Sequence, residues 1–468
     1  MLTKQSEDFS KWYNDVVLQS GLADYSPVRG CMIIKPYGYA IWENIQKNLD
    51  IEIKKMGVNN VYFPLFIPER FFKKEAEHVE GFNPQVAWVT HGGGKKLEEK
   101  LAVRPTSETI MYDVFSNWIQ SYRDLPLKIN QWANIVRWEM RPRLFLRTLE
   151  FLWQEGHTAH ATEKEADKMA EDALEMYRRF AENWLGIYCI PGRKTESEKF
   201  AGAKYTLAVE ALMKDAKGLQ MGTSHQLGQN FAKSFKIQFL DKKGQKQYVW
   251  QTSWGVSTRM IGGIVMSHGD NKGLVLPPKI APYSVVIIPI SFENSVKNYI
   301  AKLENELAKK NICFYTDNRE QQTAGWKFNE WELKGAPLRI EIGPKEVREK
   351  KITYVLRDDL KKETVGLKEF RPEKLLDKMQ KRLLESSKKF TAENTHEVKS
   401  YEEFKKTLNQ KGGFIKAYWC EDVKCENKIQ EETKATIRCV GFEKGTKKGK
   451  CVKCGKETQT AVLFAKAY

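Results

Sequence analysis

The sequence predicts a multidomain chain of mixed α+β and α/β build. Its expected segments are residues 1–278, 283–385, a linker at 386–394 and a small α/β unit at 395–468. Three observations carry this. Helical and extended patterns alternate through the first half. Lys272–Pro278, KGLVLPP, ends in two prolines that close a domain. Beyond it, SVVIIPI, a charged helix and ICFYTD form a strand–helix–strand unit, repeated toward ITYVLRDD, as in α/β domains with some parallel pairing. A chain of 468 residues has room for about two to four cores.

The elements follow in order. PYGYAIWENIQKNLDIEIKKMG carries apolar residues at helical spacing and stops at Gly57. NVYFPLFIPE reads as one extended, buried strand. PQVAWVTHGGGKKLEEKLAVRPTSE reads as two strands around a glycine-rich tip. SETIMYDVFSNWIQSY is an amphipathic helix. KINQWANIVRWEM and LRTLEFLWQEGHTAH are strands joined by a loop with proline and arginine. TEKEADKMAEDALEMYRRFAENWLG is a long charged helix. LQMGTSHQLGQNFAKSFKIQF and KQYVWQTSWG read as strands, and STRMIGGIVMSHGD as a short helix whose glycines allow close packing. SSKKFTAENTHEVKS is polar and linker-like.

Hydrophobic residues make up 41% and charged residues 29%, a globular composition. No apolar run reaches the ~20 residues of a membrane span. MLTKQSEDFSKWYND has neither an apolar signal core nor transit-peptide character, so a cytoplasmic location is expected. The net charge of +17 suits a polyanionic partner such as nucleic acid, though charge alone cannot establish one. Of eight cysteines, Cys31, Cys189, Cys313 and Cys439 are scattered. Cys420-x4-Cys425 and Cys451-x2-Cys454 have a spacing suited to tetrahedral zinc on four thiolates, leaving no open position for catalysis. HGGGKK (His91–Lys96) lacks the spacing of a phosphate loop and reads as a hairpin tip. HGD (His268–Asp270) reads as a capped turn.

VRWE (Val136–Glu139) with FLRTLEFLWQEGH (Phe145–His157) resembles motif 2 of the class II aminoacyl-tRNA synthetases, and GVSTRMIGG (Gly255–Gly263) resembles motif 3. FPLFIPE, with Pro64, resembles the end of motif 1, which builds a dimer interface. RPTSE (Arg104–Glu108) and GTSHQLGQNF (Gly222–Phe231) narrow the resemblance to the prolyl-tRNA synthetases, in the archaeal- and eukaryotic-like branch, and it covers essentially the whole chain. It implies an antiparallel-sheet catalytic domain, an α/β anticodon-binding domain and a C-terminal zinc domain in a homodimer. It implies ATP, Mg2+, L-proline and tRNA(Pro) as ligands.

The implied roles make chemical sense. The proline carboxylate is already an anion at neutral pH, so attack on the α-phosphorus needs positioning and charge neutralisation, not a general base. The resemblance gives Arg137 and Arg259 catalytic roles on the phosphate. It adds Glu139, Arg147, Phe151, Gln220, Thr223 and Ser257 to the ATP site, with Ser257 standing where the family usually has Thr. Thr106 and Glu108 correspond to the family's ammonium clamp. Trp153, Glu155, His157, Phe200 and His225 would surround the ring and carboxylate, together with Arg137. Glu332 and Arg339 are the anticodon candidates; a charge pair stabilising a strand is the bland alternative. A terminal Tyr468 is expected to fold back toward the catalytic domain. The short stretch between His157 and His225 has no room for a large inserted editing domain, so imperfect rejection of alanine and cysteine is expected. The rivals are a sister synthetase, threonyl or glycyl, and a non-catalytic RNA-binding derivative. A sister would share the fold and both arginines, but the clamp and aromatic pocket argue against it; the presence of Arg137, Arg259, Thr106 and Glu108 argues against the derivative.

Overall fold

The computed structural model describes residues 2–76, 86–138, 142–442 and 447–468. Among these, eleven strands form one sheet. In spatial order they are Thr395–Glu397, Phe414–Tyr418, Ala461–Ala465, Thr436–Val440, Ile190–Arg193, Tyr205–Leu212, Gly218–Gly228, Trp250–Ser257, Glu150–His160, Leu127–Val136 and Asn59–Asn60. All neighbours are antiparallel except the pair at each edge. The central strands are covered on both faces, so they are buried almost throughout instead of alternating; Tyr205–Leu212 is the clearest case.

The helix Glu163–Asn183 covers one face. Thr162 caps it in a capping box with Glu165. Ala166, Met169, Ala170, Ala173, Leu174, Tyr177 and Phe180 form its buried stripe. Tyr177 and Ser224 tie it to the sheet by hydrogen bonds to Gln154 and from Ser224 to Ala170 O. On the sheet itself, a Cβ on Gly156 would stand 2.2 Å from the ring of Trp254, its cross-strand neighbour, so only a hydrogen fits.

The expected single strand NVYFPLFIPE is two short ones, Asn59–Asn60 and Phe66–Pro68, in different sheets. Pro64 lacks the N–H a continuous ladder needs. Phe63 and Ile67 are buried while Tyr62 and Phe66 are exposed. Phe66–Pro68 pairs with Lys95–Val103, which forms a hairpin with Trp88–Gly92. Gly93 and Gly94, both at positive φ, make the tip, as read from HGGGKK. LQMGTSHQLGQNFAKSFKIQF is interrupted by the helix Asn230–Ser234, which buries Phe231 and Ala232.

The second unit has five strands, in the order Phe314–Thr316, Val285–Pro289, Leu338–Ile342, Lys351–Leu356 and Lys362–Gly366. The first three are parallel and the last two antiparallel. It is tied to the first unit by Asp270, whose two oxygens accept both terminal nitrogens of the buried Arg357 at 2.6 and 2.7 Å.

The expected linker at 386–394 is not a linker. The helix Pro372–Glu393 runs through nearly all of it. Ser387 and Thr391 continue the buried stripe of Leu376, Met379 and Leu383, and their small polar side chains disguise it. Ser387 Oγ accepts from Tyr188 N, so this face is packed on the first unit. Nor is 395–468 a separate sheet. Its strands extend the main one, with Val440 pairing to Arg193. A Cβ on Gly192 would meet Cys439 Cβ at 2.7 Å, so the junction depends on that glycine.

Candidate active site

A cavity of about 320 Å³ lies over the central strands. Strand period places its floor. Phe151, Trp153, Glu155 and His157 are alternate residues of Glu150–His160 and all line the cavity. Across the sheet, His157 pairs with Ser253, Ser253 with His225 and His225 with Thr206, one continuous row. Glu155, Gly255 and Thr223 form the next, and Trp153 with Ser257 the third. Gln220 and Thr223 are three apart and should face opposite ways. A bulge against Val209–Glu210 leaves Met221 without a partner and brings both to the cavity.

Three arginines converge there. Arg137 follows the strand Leu127–Val136; its Nε donates to Pro105 O, and its guanidinium lies over Phe151 and Trp153 at 5.7 and 5.5 Å. Arg259 opens the helix Arg259–His268 and donates from Nε to Leu146 O at 3.2 Å. Burial, then the charges of Arg137 and Arg147, push its guanidinium down to about 10. A cation at a helix N-terminus, next to two others, is unfavourable unless an anion arrives. The constellation has the charge to receive an anion.

Two buried carboxylates line the same cavity. Thr106 Oγ1 donates to Glu108 Oε2, and Glu108 is 5% exposed at the start of the helix Glu108–Trp118. Glu155 accepts from Ser107 Oγ at 2.6 Å, Gln131 Nε2 at 2.8 Å and His157 Nε2 at 3.0 Å. Burial alone would raise the Glu155 carboxyl, but His157 and these donors hold it below its usual range. Burial likewise opposes protonation of His157, yet the bond to Glu155 and the charges of Glu155 and Glu108 raise it overall. His225 is different. Burial, then His157 and Arg137, push it down to about 3, so it is neutral. Phe200 lies 4.8 Å from it, ring to ring.

Of the expected site residues, Thr106, Glu108, Arg137, Arg147, Phe151, Trp153, Glu155, His157, Phe200, Gln220, Thr223, His225, Ser257 and Arg259 line this one cavity. Glu139 lies outside the described residues. Lys194, Glu198, Thr206 and Ser253 also line it and were missed. They lie in or near GRKTESEKF and on neighbouring strands, and in that charged segment only its last residue, Phe200, stood out in the sequence.

Glu332 and Arg339 lie elsewhere, bonded to each other at 2.8 Å. Arg339 also bonds Glu341 and stacks on Phe328 at 4.4 Å. The ligand atoms of Cys420, Cys425, Cys451 and Cys454 all lie within 4.8 Å of one another. Tetrahedral zinc with Zn–S near 2.3 Å needs sulfurs about 3.8 Å apart. Cys420 and Cys454 Sγ are 3.7 Å apart, so the set fits that ion. Cys439 is not in it; its Sγ faces Ile190 O. Tyr468 does fold back: its hydroxyl reaches Asp215 at 2.5 Å, and its ring lies under Arg143 and Lys217. His268 and Asp270 form the capped turn, Asp270 accepting from Lys272 N and Gly273 N. Among the described residues no helix is long and apolar enough to cross a membrane.

A six-stranded antiparallel core from Ile190–Arg193 to Leu127–Val136, with arginines entering from a strand-end loop and a helix start, defines a class II aminoacyl-tRNA synthetase core. Family models agree: the class II core domain of the G, H, P, S and T synthetases matches residues 88–268, an anticodon binding domain 284–377, and the prolyl-tRNA synthetase C-terminal domain 401–468. The chain is 52% identical to a proline–tRNA ligase of Natranaerobius thermophilus, over 100% of this chain and 98% of that one. It is 53% identical to one from Chloroherpeton thalassium, over 100% and 99%. The crystal structure of prolyl-tRNA synthetase from Cryptosporidium parvum with L-proline and AMP superposes with a TM-score of 0.94 at 42% identity, covering 100% of this chain and 96% of that one. The same enzyme with halofuginone and AMPPNP gives 0.95 at 43%, covering 100% and 99%. The chain belongs to the prolyl-tRNA synthetase family.

Proposed function

We infer that the chain is a proline–tRNA ligase, joining L-proline to tRNA(Pro) at the expense of ATP. The observation that carries this is one cavity lined together by three arginines, two buried carboxylates, two histidines and the rings of Phe151, Trp153 and Phe200. In the first step a proline carboxylate oxygen attacks the α-phosphorus of ATP. A P–O bond forms, the α–β bridging P–O bond breaks, and its electron pair leaves with pyrophosphate. In the second a terminal ribose hydroxyl attacks the prolyl-adenylate carbonyl, releasing AMP and a proton.

Arg137, Arg147 and Arg259 take the phosphate charge that grows during attack, and their fixed positions make them effective at it. Phe151 stacks on the adenine, with Glu139, Gln220, Thr223 and Ser257 as nucleotide hydrogen-bonding groups. Mg2+, when bound, neutralises phosphate charge in the same way. Glu108 and Thr106 accept the secondary ammonium. Trp153, Phe200, Glu155, His157 and His225 enclose the compact ring, and a neutral His225 adds no charge against the ammonium. Arg137 reaches the carboxylate.

The zinc on Cys420, Cys425, Cys451 and Cys454 is structural. Glu332 and Arg339 read anticodon bases, exchanging their mutual bond for the donor and acceptor edges of guanine. A net charge of +17 supports tRNA as partner. Tyr62, Phe66, Trp88 and Trp118, exposed around the PLFIPE segment, support a homodimer; the cytoplasm is the location expected from the sequence. ATP–pyrophosphate exchange with each of the twenty amino acids tests the reading. Exchange with proline far above alanine and cysteine is expected, with a residual alanine or cysteine signal at high concentration. None with proline would leave a non-catalytic RNA-binding protein.

A further inference from the structure

The strands Ile190–Arg193 and Tyr205–Leu212 are joined by a loop that reaches the cavity through Lys194, Glu198 and Phe200. Its first part is a single turn: the N–H groups of Glu198 and Lys199 both donate to Thr195 O, at 3.2 and 2.9 Å. Thr195 is thus the base from which Glu198 and Phe200 are presented, although it does not line the cavity itself.

Thr195 is held from the C-terminal unit. Its hydroxyl donates to Glu426 Oε1 at 2.6 Å and lies 3.1 Å from Ser197 Oγ. Glu426 is 4% exposed and follows Cys425 in the helix Val423–Thr433. Its Oε2 has no hydrogen-bond partner among the described residues. One residue before Thr195, Lys194 Nζ donates to Glu210 Oε1 at 2.8 Å. The fully buried Glu210 also accepts from Arg438 Nε at 3.1 Å and from its Nη2 at 2.8 and 3.0 Å. Arg438 belongs to the strand Thr436–Val440. Two successive loop residues are therefore fixed by the C-terminal unit, one directly and one through a shared carboxylate.

We propose that the C-terminal unit positions the amino-acid pocket, with Glu426 and Arg438 holding the Lys194–Phe200 turn against His225. Neither residue lines the cavity, so both are positioning residues. This rests on the ligase reading above. A polar loop freed from its anchors samples many shapes, and proline must then select the competent one. Apparent affinity for proline falls by that fraction. The Thr195–Glu426 bond involves no nucleotide residue, so its loss alone leaves ATP binding in place.

The test uses the full zinc-loaded chain. Wild-type protein must first support proline-dependent pyrophosphate exchange; if it does not, the ligase reading itself fails. Given that activity, Thr195→Val removes the hydroxyl at constant shape. It is expected to raise the proline KM about tenfold, with the ATP KM and kcat within about threefold and zinc content unchanged. Thr195→Ser should restore the wild-type value. Glu426→Ala covers the case in which Thr195→Val does not fold. A second readout is trypsin cleavage after Lys199 without substrates, expected to be about tenfold faster in either variant. A proline KM within twofold of wild type in a folded variant, an equal rise in the ATP KM, or an unchanged cleavage rate overturns the proposal.

Discussion

Replacing Glu108 by glutamine keeps the shape of the side chain and removes its charge. Thr106 Oγ1 can still donate to the amide oxygen, so the helix start at Glu108 stays in place. What changes is the partner offered to a secondary ammonium. Two unit charges about 4 Å apart interact by about 4 kcal/mol at an effective dielectric near 20. At 5% exposure Glu108 is well removed from solvent, but an amide still gives a neutral hydrogen bond worth about 1 kcal/mol. The net loss is about 2–3 kcal/mol, which converts to a proline KM raised roughly 30- to 150-fold. Pyrophosphate exchange at saturating ATP, titrated with proline, measures it. The ATP KM should stay within about twofold and the thermal midpoint within about 2 °C. A proline KM within threefold of wild type would refute Glu108 as the ammonium's counter-charge. An equal rise in both KM values would point to a distorted pocket instead.

Other outcomes follow from the same structure. Gly156→Ala drives a methyl into the Trp254 ring and should destabilise the protein by about 3 kcal/mol or more in urea unfolding, because both residues lie mid-sheet. His268, 6% exposed and donating from Nε2 to Leu185 O, is pushed by burial down to about 4. Its folded value lies below its unfolded one, so its contribution is complete above pH 6.5 and lost as pH falls toward 4. His268→Gln should therefore flatten stability against pH in that window by up to about 1.4 kcal/mol per unit. Wild-type chain should carry one zinc by elemental analysis, and Cys425→Ser none, with an earlier unfolding step in the C-terminal unit. Arg339→Ala should raise the tRNA KM while leaving proline-dependent pyrophosphate exchange within about twofold.

Most of the site was legible through the family resemblance, and strand period explains why part of it comes together. Trp153, Glu155 and His157 alternate in the sequence and share one face in the fold. Gln220 and Thr223 violate that period, and only the bulge at Met221 reconciles them; nothing local in MGTSH announces a bulge. Lys194 and Glu198 were hidden because a charge run looks the same whether it faces water or a substrate. The misread linker has the same origin: Ser387 and Thr391 are polar by composition yet small enough to pack. The extension of the main sheet into the C-terminal unit could not be read at all. Pairing between distant strands is written in shape, such as the missing Cβ of Gly192, and not in hydrophobic pattern.

That junction bears on how the chain comes off the ribosome. Cys439 and the Ile190 carbonyl it faces are 249 positions apart. Until the later segment emerges, Ile190–Arg193 is an open sheet edge, with unpaired N–H and C=O groups and a glycine offering no side chain to block a stranger's strand. The nascent catalytic domain must wait in that state while the whole anticodon-binding unit is made. Truncation before Thr436 should thus yield aggregates instead of a smaller soluble enzyme, and a chaperone that shields strand edges would find its substrate here.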